Sequence, residues 1–120
     1  MFNVDKFNEI NEILKKHSNS GKIIAISKNH PVESVLEAIN QGVYIFGENR
    51  VQEAQTKFLK IKQNNPKIEL HLTGPLQSNK VKMALSLFDV FHTIDREKIA
   101  KEFSKHQDLL KDKKFFVQIN

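Results

Sequence analysis

The sequence predicts an α/β fold built on a parallel sheet. Three observations predict it. Five short apolar runs start near Ile23, Val43, Ile68, Val90 and Phe115. Between them lie segments whose apolar residues recur every three to four positions. The run starts fall 20–25 residues apart, the spacing of strand–helix–strand units. Two architectures use such units: the open doubly wound sheet and the (β/α)8 barrel.

The elements follow in order. A first helix is expected from Val4 to Lys16, with Phe7, Ile10 and Leu14 on one face and turn residues from Ser18 to Gly21 ending it. Ile23 to Ser27 reads as a buried strand that ends at Lys28. Pro31 suits the first turn of the next helix, where its missing N–H costs nothing. Val32, Val35, Leu36 and Ile39 form that helix's apolar stripe, and Gly42 suits the position just past its end.

Val43 to Phe46 is the second strand. A helix from Arg50 to Asn64 should bury Val51, Ala54, Phe58 and Ile61, and Pro66 blocks its continuation. Ile68 to Thr73 alternates as a third strand, followed by a helix from Asn79 to Leu87 that buries Val81, Ala84, Leu85 and Phe88. Val90 to Ile94 is the fourth strand. Asp95 can cap a helix running to Leu110, with Ile99, Phe103 and Leu110 inward. Phe115 to Ile119 is the fifth strand.

Composition narrows the function classes. The 120 residues suffice for one compact domain. There are no cysteines, which excludes disulfides and thiolate metal sites and fits a reducing, cytoplasmic setting. No run reaches the roughly 20 apolar residues of a membrane span, and the start lacks the apolar core of a signal peptide. The formal charge of +5 permits attraction to phosphates. Yet most of the 19 basic residues are lysines interleaved with 14 acids, without the clustered arginines and aromatics of a nucleic-acid face. Gly47 and Gly74 stand singly, and no glycine-rich nucleotide-binding motif is present.

The C-terminal ends of the strands carry the informative residues: Lys28, then Gly47-Glu48-Asn49, then Thr73-Gly74, then Thr93 and Asp95, then Asn120. Both parallel architectures bind ligands at this edge. Lys28 is the obvious nucleophile among them. An amine at the end of a buried strand is expected to be desolvated, which favours its neutral form. The plainer role for any one of these residues is a cap, a turn residue or a lysine reaching solvent.

Three strings go further: Ile26-Ser27-Lys28, Phe46-Gly47-Glu48-Asn49-Arg50-Val51-Gln52-Glu53, and His71-Leu72-Thr73-Gly74-Pro75-Leu76-Gln77-Ser78-Asn79-Lys80. In this order and spacing they resemble the pyridoxal phosphate homeostasis protein family, whose single domain is similar to the barrel domain of alanine racemase. His92-Thr93-Ile94-Asp95 and Gln118-Ile119-Asn120 also fit, so the resemblance runs from about Lys22 to Asn120. It implies a TIM (β/α)8 barrel and a reversible lysine aldimine between Lys28 and pyridoxal 5′-phosphate. It places Asn49 beside the cofactor and His71 and Thr73 on the third strand of the site. Gly74, Gln77, Asn79 and Lys80 would belong to the rim. Glu48 and Glu53 are expected in a cap or a rim salt bridge.

The resemblance implies cofactor homeostasis by a carrier or buffer, with enzymes that use the cofactor as acceptors and neither nucleic acid nor membrane as a partner. Two other classes stand beside it: a racemase-like enzyme using the same cofactor, and a basic module for RNA or phosphate. The single tyrosine, Tyr44, falls in an expected strand and speaks against a racemase base. The sequence departs from the family at His30, Leu70 and Arg50, where a second lysine, an aromatic and a tyrosine are common. Five strands make an incomplete barrel, so the sequence is expected to be an N-terminal portion without the phosphate-holding segment. Residues 1–21 are expected as a helix and turn packed on the partial barrel of residues 22–120. Family members are usually monomeric, but open edges would let this portion self-associate.

Overall fold

A computed structural model describes residues 3–17, 23–94 and 97–117. The turn expected at Ser18–Gly21, the boundary at Lys22, the cap at Asp95 and the Gln118–Asn120 string lie outside these residues. The order is α1 (Val4–His17), β1 (Ala25–Ile26), α2 (Val32–Asn40), β2 (Ile45–Glu48), α3 (Val51–Asn64), β3 (Glu69–Leu72), a 3₁₀ turn (Ser78–Lys80), α4 (Val81–Leu87), β4 (Val90–Ile94), α5 (Glu97–Ser104), a second 3₁₀ turn (Gln107–Leu109) and β5 (Lys114–Val117).

The five strands form one parallel sheet in the order β1-β2-β3-β4-β5. That order decides between the two architectures. Right-handed crossovers that always step the same way put every connecting helix on one face. A doubly wound sheet must reverse its order to cover both. The sheet is therefore a consecutive sector of a (β/α)8 barrel, with helices outside and the other face toward the barrel interior.

Register assigns each residue to a face. Ala25, Phe46 and Leu70 pair across the sheet in one row, and Leu72, Phe91 and Phe115 in another. Both rows meet the helices. Phe46 packs on Phe58 of α3 at 5.5 Å between ring centres. Phe91, Phe103 of α5 and Phe115 form a triangle of rings 5.0–5.2 Å apart. Phe46, Phe58, Leu70, Leu72, Phe91 and Phe103 form the core with Leu85, Phe88 and Val81 of the α4 region, and the partly buried Ala25 and Phe115 pack against it.

The opposite face carries Ile26, Gly47, His71 and Val90 in register. His92 and Phe116 lie on it too, their rings stacked at 5.2 Å. No described helix covers this face. Phe116 is 53% exposed and Ile26 48%.

Several helix expectations need correction. α3 and α4 bury the expected stripes, and Gly42 takes a left-handed φ of 93° just past α2. In α2, however, Val35 and Ala38 are buried, while Val32 and Leu36 are exposed. This helix covers the edge strand β1, so only one flank finds the sheet. In α1, Phe7 and Leu14 are half-buried but Ile10 is exposed. The helix expected to reach Leu110 stops at Ser104, whose hydroxyl donates to the Lys101 carbonyl at 2.6 Å. The next amides bond three residues back, Lys105 to Glu102 and His106 to Phe103, and the chain tightens into 3₁₀ geometry. β1 is shorter than expected, and Ile23 to Ile26 are not fully buried, because β1 pairs on one edge only. Among the described residues, no helix is long and apolar enough to cross a membrane.

Candidate functional site

The strand ends converge as the register requires. Ile26, Gly47 and His71 share a row on the open face. The ladder continues past the strands: the Ser27 amide donates to Gly47 O at 3.0 Å, and the Thr73 amide to Glu48 O at 2.9 Å. Two residues beyond that row stand Lys28, Asn49 and Thr73. The Thr73 hydroxyl donates to Asn49 Oδ1 at 2.8 Å, locking two of the three together.

Gly74 makes this contact feasible. A Cβ at this position would run into the Asn49 main chain, 2.9 Å from its Cα and 3.0 Å from its carbonyl carbon. The loop after β3 can lie against Asn49 only because residue 74 has no side chain.

Lys28 occupies a corner. It and Asn29 are the central residues of a turn closed by the His30 amide donating to Ser27 O at 3.0 Å. Asn29 adopts φ 62°, a left-handed conformation that asparagine tolerates better than most residues. Lys28 is exposed. The desolvation expected for a buried strand end is therefore not supplied by this chain. The cause is the same as for β1: the inner face has no cover.

One step below the rim lies a polar chain. His71 Nε2 is 2.9 Å from Glu69 Oε2, and its Nδ1 is 2.7 Å from His92 Nε2. An ionised carboxylate only accepts, so His71 donates from Nε2 to Glu69, while its Nδ1 and His92 Nε2 share one hydrogen bond whose direction follows the tautomer. Burial, reinforced by the neighbouring His71, lowers the pKa of His92. His71 and Thr73 thus share the open face with Gly47 and Asn49, but both ring nitrogens of His71 are already engaged. Among the described residues, no group of three or more acidic or histidine side chains is placed to hold a metal.

Behind the same strand ends lies a cluster that the sequence reading missed. Glu48 points toward the helices and is completely buried. Its Oε2 accepts from Lys57 Nζ of α3 at 2.9 Å and from the Ser27 hydroxyl. Lys57 also donates to the Ser27 carbonyl at 2.6 Å. Glu48 is thus neither a cap nor a rim residue. Glu53 does lie at the rim, 3.6 Å from Lys57, and accepts the Asn29 amide at 2.9 Å. That hydrogen bond, with Lys57 adding to it, lowers its pKa. The signal was present: Ala54, Lys57, Phe58 and Ile61 follow i, i+3, i+4, i+7, so Lys57 sits within the inward stripe.

A separate cleft of about 120 Å³ opens between β1 and α2, lined by Ala25, Ser34, Val35, Ala38 and Phe46 among others. Ile26, Ser27 and His30 line it too, so it borders the turn that carries Lys28, while Asn49 and Thr73 take no part in it.

The residues at the rim fit the aldehyde end of a pyridoxal-type cofactor. They present an exposed primary amine at one strand end, and an oriented amide and hydroxyl at the next two.

No protein-family model matches the chain. Curated relatives do. A pyridoxal phosphate homeostasis protein of Vibrio cholerae is 41% identical over 104 residues, covering 84% of this chain and 44% of its own length. The Escherichia coli K12 protein of the same name is 38% identical over 100 residues, covering 82% and 43%. Among solved structures, PipY of Synechococcus elongatus PCC7942 with PLP bound matches with a TM-score of 0.72 at 37% identity, covering 82% of this chain and 46% of that one. PipY without PLP matches with a TM-score of 0.81 at 34% identity, covering 94% and 53%. The chain spans about half the length of these relatives. In sequence and in fold the chain is similar to the N-terminal portion of these pyridoxal phosphate homeostasis proteins and of PipY.

Proposed function

We propose that this chain binds pyridoxal 5′-phosphate through Lys28 and contributes to intracellular handling of that cofactor as a carrier. The observation that carries this reading is the row Lys28–Asn49–Thr73 at three consecutive strand ends, in a chain whose relative PipY was solved with PLP bound. When bound, the cofactor supplies an aldehyde that condenses reversibly with a neutral amine.

The chain's own residues do the rest. Lys28 offers an exposed amine from a turn, two residues past Ile26 of β1. Thr73 holds the Asn49 amide by its oxygen, which leaves the Asn49 N–H groups to donate to a ligand oxygen. His71, held by Glu69 and His92, forms the floor and keeps the face polar. Relatives carry names for homeostasis and not for a reaction. A carrier needs only reversible attachment and an acceptor amine, and the cofactor-using acceptor enzymes expected from the sequence would supply it. Residues 22–120 serve on this reading as the cofactor-binding unit, with the N-terminal helix packed against it through Phe7.

The test is reductive trapping. The amine condenses with the aldehyde, water leaves, and borohydride delivers hydride to carbon, fixing a secondary amine. At excess cofactor, mass spectrometry should place the adduct on Lys28 ahead of the other lysines, and Lys28→Ala should remove it. Labelling spread evenly over the lysines would overturn the reading.

A further inference from the structure

We propose that Glu48, Lys57 and Glu53 act as a clamp that positions Lys28 from behind the sheet. The proposal rests on Lys28 being the amine that takes the cofactor, as argued above. Lys28 itself is exposed, at the centre of the turn closed by the His30 amide and the Ser27 carbonyl. Its two neighbours in sequence are fixed. The Ser27 carbonyl, joined directly to the Lys28 nitrogen, accepts Lys57 Nζ at 2.6 Å. The Ser27 hydroxyl donates to Glu48 Oε2. On the other side, the Asn29 amide donates to Glu53 Oε2 at 2.9 Å.

Lys57 joins the two halves, at 2.9 Å from Glu48 and 3.6 Å from Glu53. All three groups reach the turn from β2 and α3, so they tie the corner holding Lys28 to the next strand and its helix. The left-handed Asn29 lies inside this span. A conformation that most side chains disfavour persists when its surroundings hold it.

The chemistry of the cluster points the same way. Glu48 and Lys57 are at most 8% exposed. Burying an ion pair seldom adds stability over an apolar pair of the same shape. Glu48 Oε1 has no hydrogen-bond partner among the described residues, so the pair is not even fully satisfied. What the pair does supply is direction: it holds one carbonyl and one hydroxyl of the residue before Lys28. Glu48 therefore works through Lys28 and not on a ligand, because its side chain lies on the opposite face from Asn49 and Thr73. The G-E-N motif then splits its work, with Glu48 holding the lysine corner from outside and Asn49 meeting the ligand from inside.

The test compares trapped adduct at Lys28 with that at Lys60 and Lys82, exposed lysines of α3 and α4 that serve as internal references. The double variant Glu48→Gln/Lys57→Met removes both charges while keeping volume. It should retain its circular dichroism, lower the Lys28-to-reference ratio roughly tenfold or more, as misplaced reacting groups do, and speed amide exchange at residues 28–30. Glu53→Ala changes a residue that is not buried and should lower the ratio less, and Glu53→Gln should restore it by returning an acceptor oxygen to Asn29.

If the unaltered chain shows no preference for Lys28, the cofactor reading itself fails. If that preference exists and the folded double variant keeps it, the clamp is overturned. Should the double variant not fold, an unchanged ratio in Glu53→Ala overturns it.

Discussion

The two faces of the sheet are made by the same strands and have opposite characters. The helix-covered face is dry and aromatic: Phe46, Leu70, Leu72 and Phe91 have almost no accessible surface, and the rings of Phe91, Phe103 and Phe115 interlock. The open face carries the polar groups: Asn49 bonds Thr73 and His71 bonds His92, while Phe116 and Ile26 are about half exposed. Strand β2 shows the division at single-residue resolution. Phe46 and Glu48 face the helices, while Gly47, and Asn49 just beyond the strand, face the interior. Period-two alternation lets one segment hold the fold with one face and carry chemistry on the other. Glu48 is the instructive exception, a charge on the dry face that serves the wet one.

The sharpest way to break this comparison is to shorten one phenylalanine on each face. Phe91→Ala should cost about 3–5 kcal/mol, the range for a large ring removed from a packed core. Phe116→Ala, on a side chain 53% exposed, should cost well under about 1 kcal/mol. Urea titration of both variants checks this. Equal losses would mean that the open face also carries the fold.

The dry face was legible in the sequence and the wet face only partly so. Buried helix stripes such as Val51, Ala54, Phe58 and Ile61 announce themselves because apolar residues recur with the helix period. Strand ends were legible because polar residues follow short apolar runs, which put Lys28, Asn49 and Thr73 on one rim. The strings of the second and third strand ends supplied the cofactor, which composition and periodicity do not specify. The Lys57–Glu48 pair was not foreseen because a lysine and a glutamate are ordinarily solvated, and local pattern does not show which charge an opposing element will cover. The exposure of Val32, Leu36 and Ile10 escaped for the same reason: amphipathicity shows that a stripe exists, not how much of it the sheet reaches. Nor does pattern show that a strand with good apolar residues lies at an edge, which is why β1 came out short and Lys28 exposed.

Glycines sharpen the contrast at smaller energy. Gly47 and Gly74 both stand near the rim but are surrounded differently. A Cβ on Gly74 meets the rigid main chain of Asn49. A Cβ on Gly47 meets side-chain ends, Ile26 Cδ1 at 2.7 Å and Ile24 Cγ2 at 3.2 Å, and Ile26 has open space to turn into. Gly74→Ala should therefore cost about 1–3 kcal/mol, the usual range for forced backbone shifts, and Gly47→Ala less than about 1 kcal/mol. Thermal midpoints rank them. If Gly47→Ala is the more damaging, the open face is more tightly packed than its exposure indicates.

The smallest effect concerns protons on the open face. His92 has its pKa lowered from 6.5, first by burial and then by His71 beside it. The folded chain therefore takes up this proton at lower pH than the unfolded chain. Where the unfolded state binds more protons, stability rises with pH. The contribution is whole above about pH 6.5 and is lost as pH falls from there through the folded value. His92→Gln keeps a polar group of similar reach against His71 and Phe116 but cannot titrate. Its stability should decline less than that of the unaltered chain between neutral and mildly acidic pH. Glu53, with its pKa lowered by the Asn29 amide, contributes the same sign in a separate window, below the ordinary carboxylate value of 4.5. Denaturant midpoints measured at several pH values separate the two. Parallel pH curves for the variant and the unaltered chain above pH 5 would show that the histidine row is hydrated enough to escape the burial its position imposes.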